Sequence, residues 1–245
     1  MKNMLNEHLW SGIIHRSETG EERNEDLFCS TKEDIQKKIQ EIIDRTHPNV
    51  GDTIDLNHLM VSNVKDMSYL FYDLELNIDF TRYNFNVSNW DVSNVENMCS
   101  MFDDCEKFNC DLSNWDVSRV TNMNGMFFMC KCFNYDLSNW NVSNVTNMAY
   151  MFYNCENFSC DLSRWDVSRV IDMHGMFDGC KKFNCDLSRW NVSKVVNMAY
   201  MFDECKKFNC DLSKWNVSKV VNMAYMFDEC SSLEKHKNIP DWYKI

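Results

Sequence analysis

The chain has 245 residues, a formal net charge of −12, and only six glycines and two prolines. That acidic balance argues against a general nucleic-acid binder or a ligand of anionic membranes, and so few Gly and Pro leave no flexible linker between independent domains. No stretch approaches the roughly 18 apolar residues that a membrane span requires, and residues 1–30 lack a long apolar signal core or a lipobox-like cysteine, so a cytoplasmic chain is favoured.

Residues 1–53 are predicted to form a helical N-terminal cap. Leu5, Leu9, Trp10, Ile13 and Ile14 suggest a short first helix. Ser30-Thr31-Lys32-Glu33 has the shape of a capping box, and Ile35, Ile39, Ile42 and Ile43 follow at helical spacing. This pattern predicts an amphipathic helix over 31–45 that covers the open end of the repeats beginning at residue 54. His47-Pro48-Asn49-Val50-Gly51 then breaks it.

Residues 54–230 repeat with a period of 25. Trp90, Trp115, Trp140, Trp165, Trp190 and Trp215 stand 25 apart, and so do the Met-Phe pairs from Met101-Phe102 to Met226-Phe227 and the cysteines from Cys105 to Cys230. A sustained period in this range predicts stacked repeats, about seven here. Within one unit, Leu112, Trp115 and Val117 alternate with polar residues and predict a short parallel strand. Met123, Met126, Phe127 and Cys130 are spaced three, one and three, which predicts about two turns of helix. Repeated apolar residues become ladders in a shared core. Asn97, Asn122, Asn147, Asp172, Asn197 and Asn222 form a polar column that caps or bonds the adjacent unit. Each of Asp111, Asp136, Asp161, Asp186 and Asp211 is expected to bond the Ser two residues on, as in an Asx turn. The first repeat, 54–71, is degenerate, and a six-residue slip near 75–80 predicts a bulging insertion. Residues 231–245 lose the pattern and are predicted to fold over the last unit, with Trp242 as anchor.

The units at 108–130 and 133–155, FNCDLSNWDVSRVTNMNGMFFMC and FNYDLSNWNVSNVTNMAYMFYNC, resemble the repeat of the BspA-like leucine-rich-repeat family, which also occurs in Mycoplasma lipoprotein-like surface proteins. The resemblance runs from about Ile54 to Cys230. It implies an α/β solenoid of right-handed leucine-rich-repeat-like coils, with Leu112, Trp115 and Val117 in the strand positions. It also implies surface display with a role in adhesion or protein binding.

Thirteen cysteines raise the question of disulfides. Most lie in two columns, the second being Cys110, Cys160, Cys185 and Cys210 with Tyr135 in the remaining place, and a position that accepts Tyr is no obligate disulfide partner. They are expected to be reduced, buried thiols. Zinc spacing and the glycine-rich calcium nonapeptide are both missing, and so are the HExxH, GxSxG and phosphate-loop motifs. No cofactor, no metal and no catalytic residue are therefore predicted.

In so regular a chain the informative residues are the deviations. Arg164, Arg189 and Lys214 replace Asn in one column, and Arg169, Lys194 and Lys219 stand in another, predicting a basic strip that would suit an acidic partner. Phe128, Met129, Cys132 and Tyr153 occupy columns that elsewhere hold Asp, Gly, Glu and Lys, predicting a local apolar patch. The expected function is a non-enzymatic protein-interaction scaffold, either a monomer or weakly self-associating. The alternatives are a surface adhesin, as the resemblance implies, and a self-assembling structural module.

Overall fold

The structure is a computed structural model that describes residues 27–72 and 79–243. The expected helix around Leu5 to Ile14 lies outside those residues, as does most of the insertion. Helix α1, Lys32–Thr46, starts one residue later than the capping-box reading. Thr31 is the N-cap: its Oγ1 accepts from the Asp34 N–H at 3.2 Å, and Asp34 Oδ2 accepts from the Thr31 N–H at 3.0 Å. The side chain three residues on closes the box, and that is Asp34 for Thr31, not Glu33 for Ser30. Ile35 and Ile39 are fully buried, and Ile42 and Ile43 pack against the same core.

Strands β1 (Thr53–Asp55) and β2 (Asn84–Asn86) pair in parallel, with Ile54 opposite Phe85. Their offset of 31 residues recurs at the bridge Asp66↔Asn97, whereas every later bridge from Asn97↔Asn122 to Asn197↔Asn222 has an offset of 25. Six extra residues thus enter between the first two units, and the chain then keeps its register. At that junction Phe80 is buried and meets Phe71 and Phe85 edge-on at 5.8 and 5.7 Å.

The strand and helix expected in each repeat are not what the repeats adopt. Each unit is a succession of tight turns. In one of them Trp115 N–H bonds Leu112 O at 3.0 Å, Val120 bonds Val117 at 3.0 Å, Met126 bonds Met123 at 3.2 Å and Cys130 bonds Phe127 at 3.0 Å. Two features prevent regular elements. Gly125 and Met129 have φ of +58° and +56°, and equivalent residues in other units share this conformation. Left-handed residues four apart cannot belong to an α-helix of L-amino acids. Around Trp115, the Ser113 and Ser118 N–H groups bond Oδ1 of Asp111 and Asp116 at 3.0 Å each, and Asx turns of this kind leave no extended run for a strand. Strand pairing survives as one bridge per unit, at the Asn column. There Asn122 Oδ1 also accepts from the Asn124 N–H at 3.1 Å.

Stacking is directional. Met123, Gly125, Phe127 and Met129 each donate a backbone N–H to the next unit, at Asn147, Ala149, Met151 and Tyr153 O, over 2.7–3.0 Å. Thr121 donates back to Glu96 O at 2.9 Å. Behind these bonds Phe102, Phe127, Phe152, Phe177, Phe202 and Phe227 stack in sequence with centroids 5.6–5.7 Å apart and rings within 10° of parallel. A second file, Phe108 to Phe208, interleaves with them at 4.0–4.2 Å. Each buried aromatic or Met contributes roughly 1.5–3 kcal/mol. Every Trp from Trp90 to Trp215 donates Nε1–H to a carbonyl of the preceding unit, as Trp140 does to Leu112 O at 3.0 Å. Trp242 does the same to Leu212 O at 3.1 Å although its own segment has left the pattern. Before it comes helix α2, Ser231–His236.

All thirteen cysteines are free thiols. Cys130, Cys155, Cys180 and Cys205 donate Sγ–H to a Phe carbonyl of the preceding unit at 3.0 Å. The second column does two jobs: Cys160 Sγ accepts the Leu137 N–H at 3.1 Å and donates to Asp136 Oδ1 at 3.5 Å. The second column therefore satisfies Leu N–H groups that a hydrocarbon of similar size would leave unpaired.

Candidate functional site

Two surfaces collect the deviating residues. The first is the corner carrying the basic columns. Arg164, Arg189, Lys214, Arg169, Lys194 and Lys219 are all exposed. They do not form a purely positive strip, because exposed Asp161, Asp186 and Asp211 run beside them. The bonds from Ser163, Ser188 and Ser213 N–H hold these carboxyls below the ordinary range, with smaller help from Arg164, Arg189 and Lys214. Arg169 Nη1 donates to Asn144 Oδ1 of the preceding unit at 2.7 Å, and Arg119 does the same to Asn94 at 2.8 Å. Between successive units this corner has a shallow cleft of about 400 Å³ lined by Cys185, Asp186, Cys210, Asp211 and Lys214, among others. It is a surface of mixed charge.

The second surface lies on the opposite side of the Asn column. Phe128 and Tyr153, both half-buried, stack face to face at 4.5 Å and 9°. Tyr150 meets them edge-on at 6.2 and 5.9 Å, His174 meets Tyr150 at 4.7 Å, Tyr200 lies 5.7 Å from His174, and Tyr225 stacks on Tyr200 at 5.1 Å. The result is one aromatic row across five repeats. Its geometry comes from the left-handed column, in which Tyr150, Tyr200 and Tyr225 (φ +56° to +57°) share places with Gly125 and Gly175. A Cβ on Gly175 would lie 2.8 Å from the Tyr150 ring, so the small residue makes room for its neighbour's ring. Met129, half-buried, holds Tyr153 O with its N–H at 2.7 Å. Cys132 is exposed on the following turn. The structure thus brings Phe128 and Tyr153 into direct contact, ties Met129 to them through the backbone, and leaves Cys132 apart.

Acidic residues occupy the same columns above and below the aromatic pair. Burial, and then the neighbouring Asp203 and Glu204, push the Asp178 carboxyl up to about 7. Burial lifts Asp103 to about 6, and it also raises Asp104 and Asp203. His174 Nδ1 is buried and has no hydrogen-bond partner among the described residues. Aromatic faces beside carboxylates suit apolar or cationic groups of a ligand. Sequence reasoning singled out Phe128, Met129, Cys132 and Tyr153, and the structure extends that patch along the tyrosine column. The signal that extends the patch was the lone His174 between Tyr150 and Tyr200. No group of three or more His, Cys, Asp or Glu is placed to hold a metal among the described residues.

Fold and surface together define a repeat protein built on a 25-residue unit, in which repeated polar groups serve the stacking and irregular ones collect at an edge. The chain belongs to the family described as Mycoplasma protein of unknown function, DUF285, whose model matches residues 39–165 and again 157–244. No curated protein matches it. No solved structure does either. No helix among the described residues is long and apolar enough to cross a membrane.

Proposed function

We propose that the chain is a non-enzymatic protein-interaction scaffold, a rigid solenoid of the BspA-like kind that binds a protein partner through the aromatic row around Phe128 and Tyr153. The observation that supports this reading best is where the regular pattern breaks. Phe128 and Tyr153 stack at 4.5 Å in a column that holds Asp103, Asp178, Asp203 and Asp228 in other repeats. A column that tolerates Asp has no structural need of an aromatic pair, and half-exposed aromatic rings are the residue type on which interface energy concentrates. The repeated Asp–Ser pairs from Asp111 to Asp211 argue against catalysis, since each is engaged in an Asx turn.

The test is capture of partners by the wild type, by Phe128→Asp/Tyr153→Asp and by Arg164→Glu/Arg189→Glu/Lys214→Glu, each checked for folding by circular dichroism. Asp is native to the Phe128 column, so the first variant is expected to fold and to lose the partner. The charge variant is expected to keep it. Retention by both variants overturns the reading. Parallel captures from lysate and from host extracellular material distinguish an intracellular scaffold from a surface adhesin.

A further inference from the structure

We propose that the edge of the last repeat, residues 217–225, is a docking site for an extended, mainly apolar segment of another polypeptide, which adds to the stack as one further rung. The proposal meets the aromatic row only at its last member, Tyr225, and starts from the direction of the stacking bonds. Met198, Tyr200, Phe202 and Glu204 donate N–H to Asn222, Ala224, Met226 and Asp228 O over 2.8–3.0 Å. In the last repeat the equivalent donors are Met223, Tyr225, Phe227 and Glu229. Glu229 N–H turns to Asp228 Oδ1 at 3.2 Å, and Tyr243 packs on Phe227 edge-on at 5.0 Å. Met223 and Tyr225 N–H have no partner among the described residues.

The side chains agree with the backbone. Val192, Val195, Met198 and Ala199 are at most 1% exposed, but their counterparts Val217, Val220 and Met223 are half-exposed and Ala224 is exposed. Val221 reaches 84% and Tyr225 56%. Through residue 243 the C-terminal segment, anchored by Trp242 on Leu212 O, covers Phe227 and Met226, and among the described residues it leaves Val221, Ala224 and Tyr225 exposed. An uncovered core edge carrying unpaired donors is a template for strand addition.

Hydrogen-bond polarity selects the occupant. A second copy presenting the same edge would set N–H against N–H, with the Val221 carbonyls as the main acceptors. The other end of a second copy is closed: α1 lies over it, with Lys32 Nζ on Ser68 O at 3.1 Å and Gln36 Nε2 on Leu70 O at 3.2 Å. What fits is an extended segment from a different chain. It would present carbonyls to Met223 and Tyr225 and an N–H to Val221 O, with apolar side chains over Val217, Val220 and Met223. Exposed Asp228 and Glu229 at the same edge disfavour acidic residues in it.

The experiment uses the full chain and, as probe, a synthetic peptide with the acid-free sequence of residues 119–131. Residue-resolved amide exchange of the chain alone is expected to show Met223 and Tyr225 exchanging at least about 100-fold faster than Met198 and Tyr200. Adding peptide is expected to slow both. Fluorescence anisotropy of labelled peptide is expected to show an affinity lowered at least about tenfold by Val221→Lys/Ala224→Arg and unchanged by Phe128→Asp. Slow exchange at every concentration of the chain alone means that the chain covers its own end, and overturns the proposal. Protection that grows with protein concentration assigns the edge to a second copy and also overturns it. So does saturating peptide without effect on either amide.

Discussion

Gly175 shows how tightly neighbouring repeats are fitted. Its φ is +55°, and any Cβ would meet the Tyr150 ring at 2.8 Å. Left-handed backbone costs an L-residue roughly 1–2 kcal/mol, so Gly175→Ala should destabilise by at least that much in urea denaturation. In a Tyr150→Ser background only the backbone part of the cost should remain. The cysteines make a second test at this scale. Burial raises Cys160 and Cys210 to about 11 and Cys185 to about 12, and it pushes Cys105, Cys130, Cys155, Cys180 and Cys205 well up. Alkylation of the native chain at neutral pH, read by mass spectrometry, should therefore modify exposed Cys132 first and half-buried Cys99 next. The other thiols should react only after unfolding.

Among the elements, α1 carries the clearest energetic consequence. Its buried Gln36 bonds Leu70 O, one of the carbonyls that later repeats satisfy with the N–H of a preceding unit. Gln36→Leu keeps the volume and loses the donor, so a cost of about 1–3 kcal/mol is expected from the orphaned carbonyl, measurable as a lower denaturation midpoint. The sequence made α1 legible through its isoleucine spacing, but it did not reveal why a Gln should sit between Ile35 and Ile39, because the acceptor lies 34 residues away. The repeats were legible in the same partial way. Period, buried columns and Asp–Ser turns could all be read directly. The helix expected at Met123 to Cys130 could not be told from a run of turns, since both place residues three apart on one side. The glycines at 125 and 175 mark the break from a helix, because they stand where the chain turns left-handed. Phe128 and Tyr153 stood out as deviations, whereas their continuation through His174 to Tyr225 depended on ring orientations that no spacing encodes.

At the scale of the molecule, two sets of aspartates give the stability profile opposite slopes. Asp116, Asp136, Asp161 and Asp186 are held low by the hydroxyl and N–H of the Ser two residues on, so their contribution is present above the ordinary carboxylate range and is lost as pH falls through their depressed values. Asp178 is the reverse. Its folded value of about 7 lies above an ordinary value near 3.9, so the folded state holds the proton more tightly and stability falls as pH rises between the two. Asp178→Asn should therefore raise the melting temperature at pH 8, and the gain should vanish near pH 4.

The bonds joining the repeats run along the stack, each unit held only by its immediate neighbours, and this sets how the molecule responds to force. Pulled by its two ends, it would peel from one end instead of shearing as a block, because only the outermost junction bears the load at any moment. Each released repeat frees 25 residues, about 80 Å of extended chain at roughly 3.3–3.6 Å per residue less the thickness of one rung. In an optical trap the expected record is a staircase of near-equal extensions at low, similar forces. Such a record would make the protein a compliant tether, whereas one large rip would show that the repeats yield together.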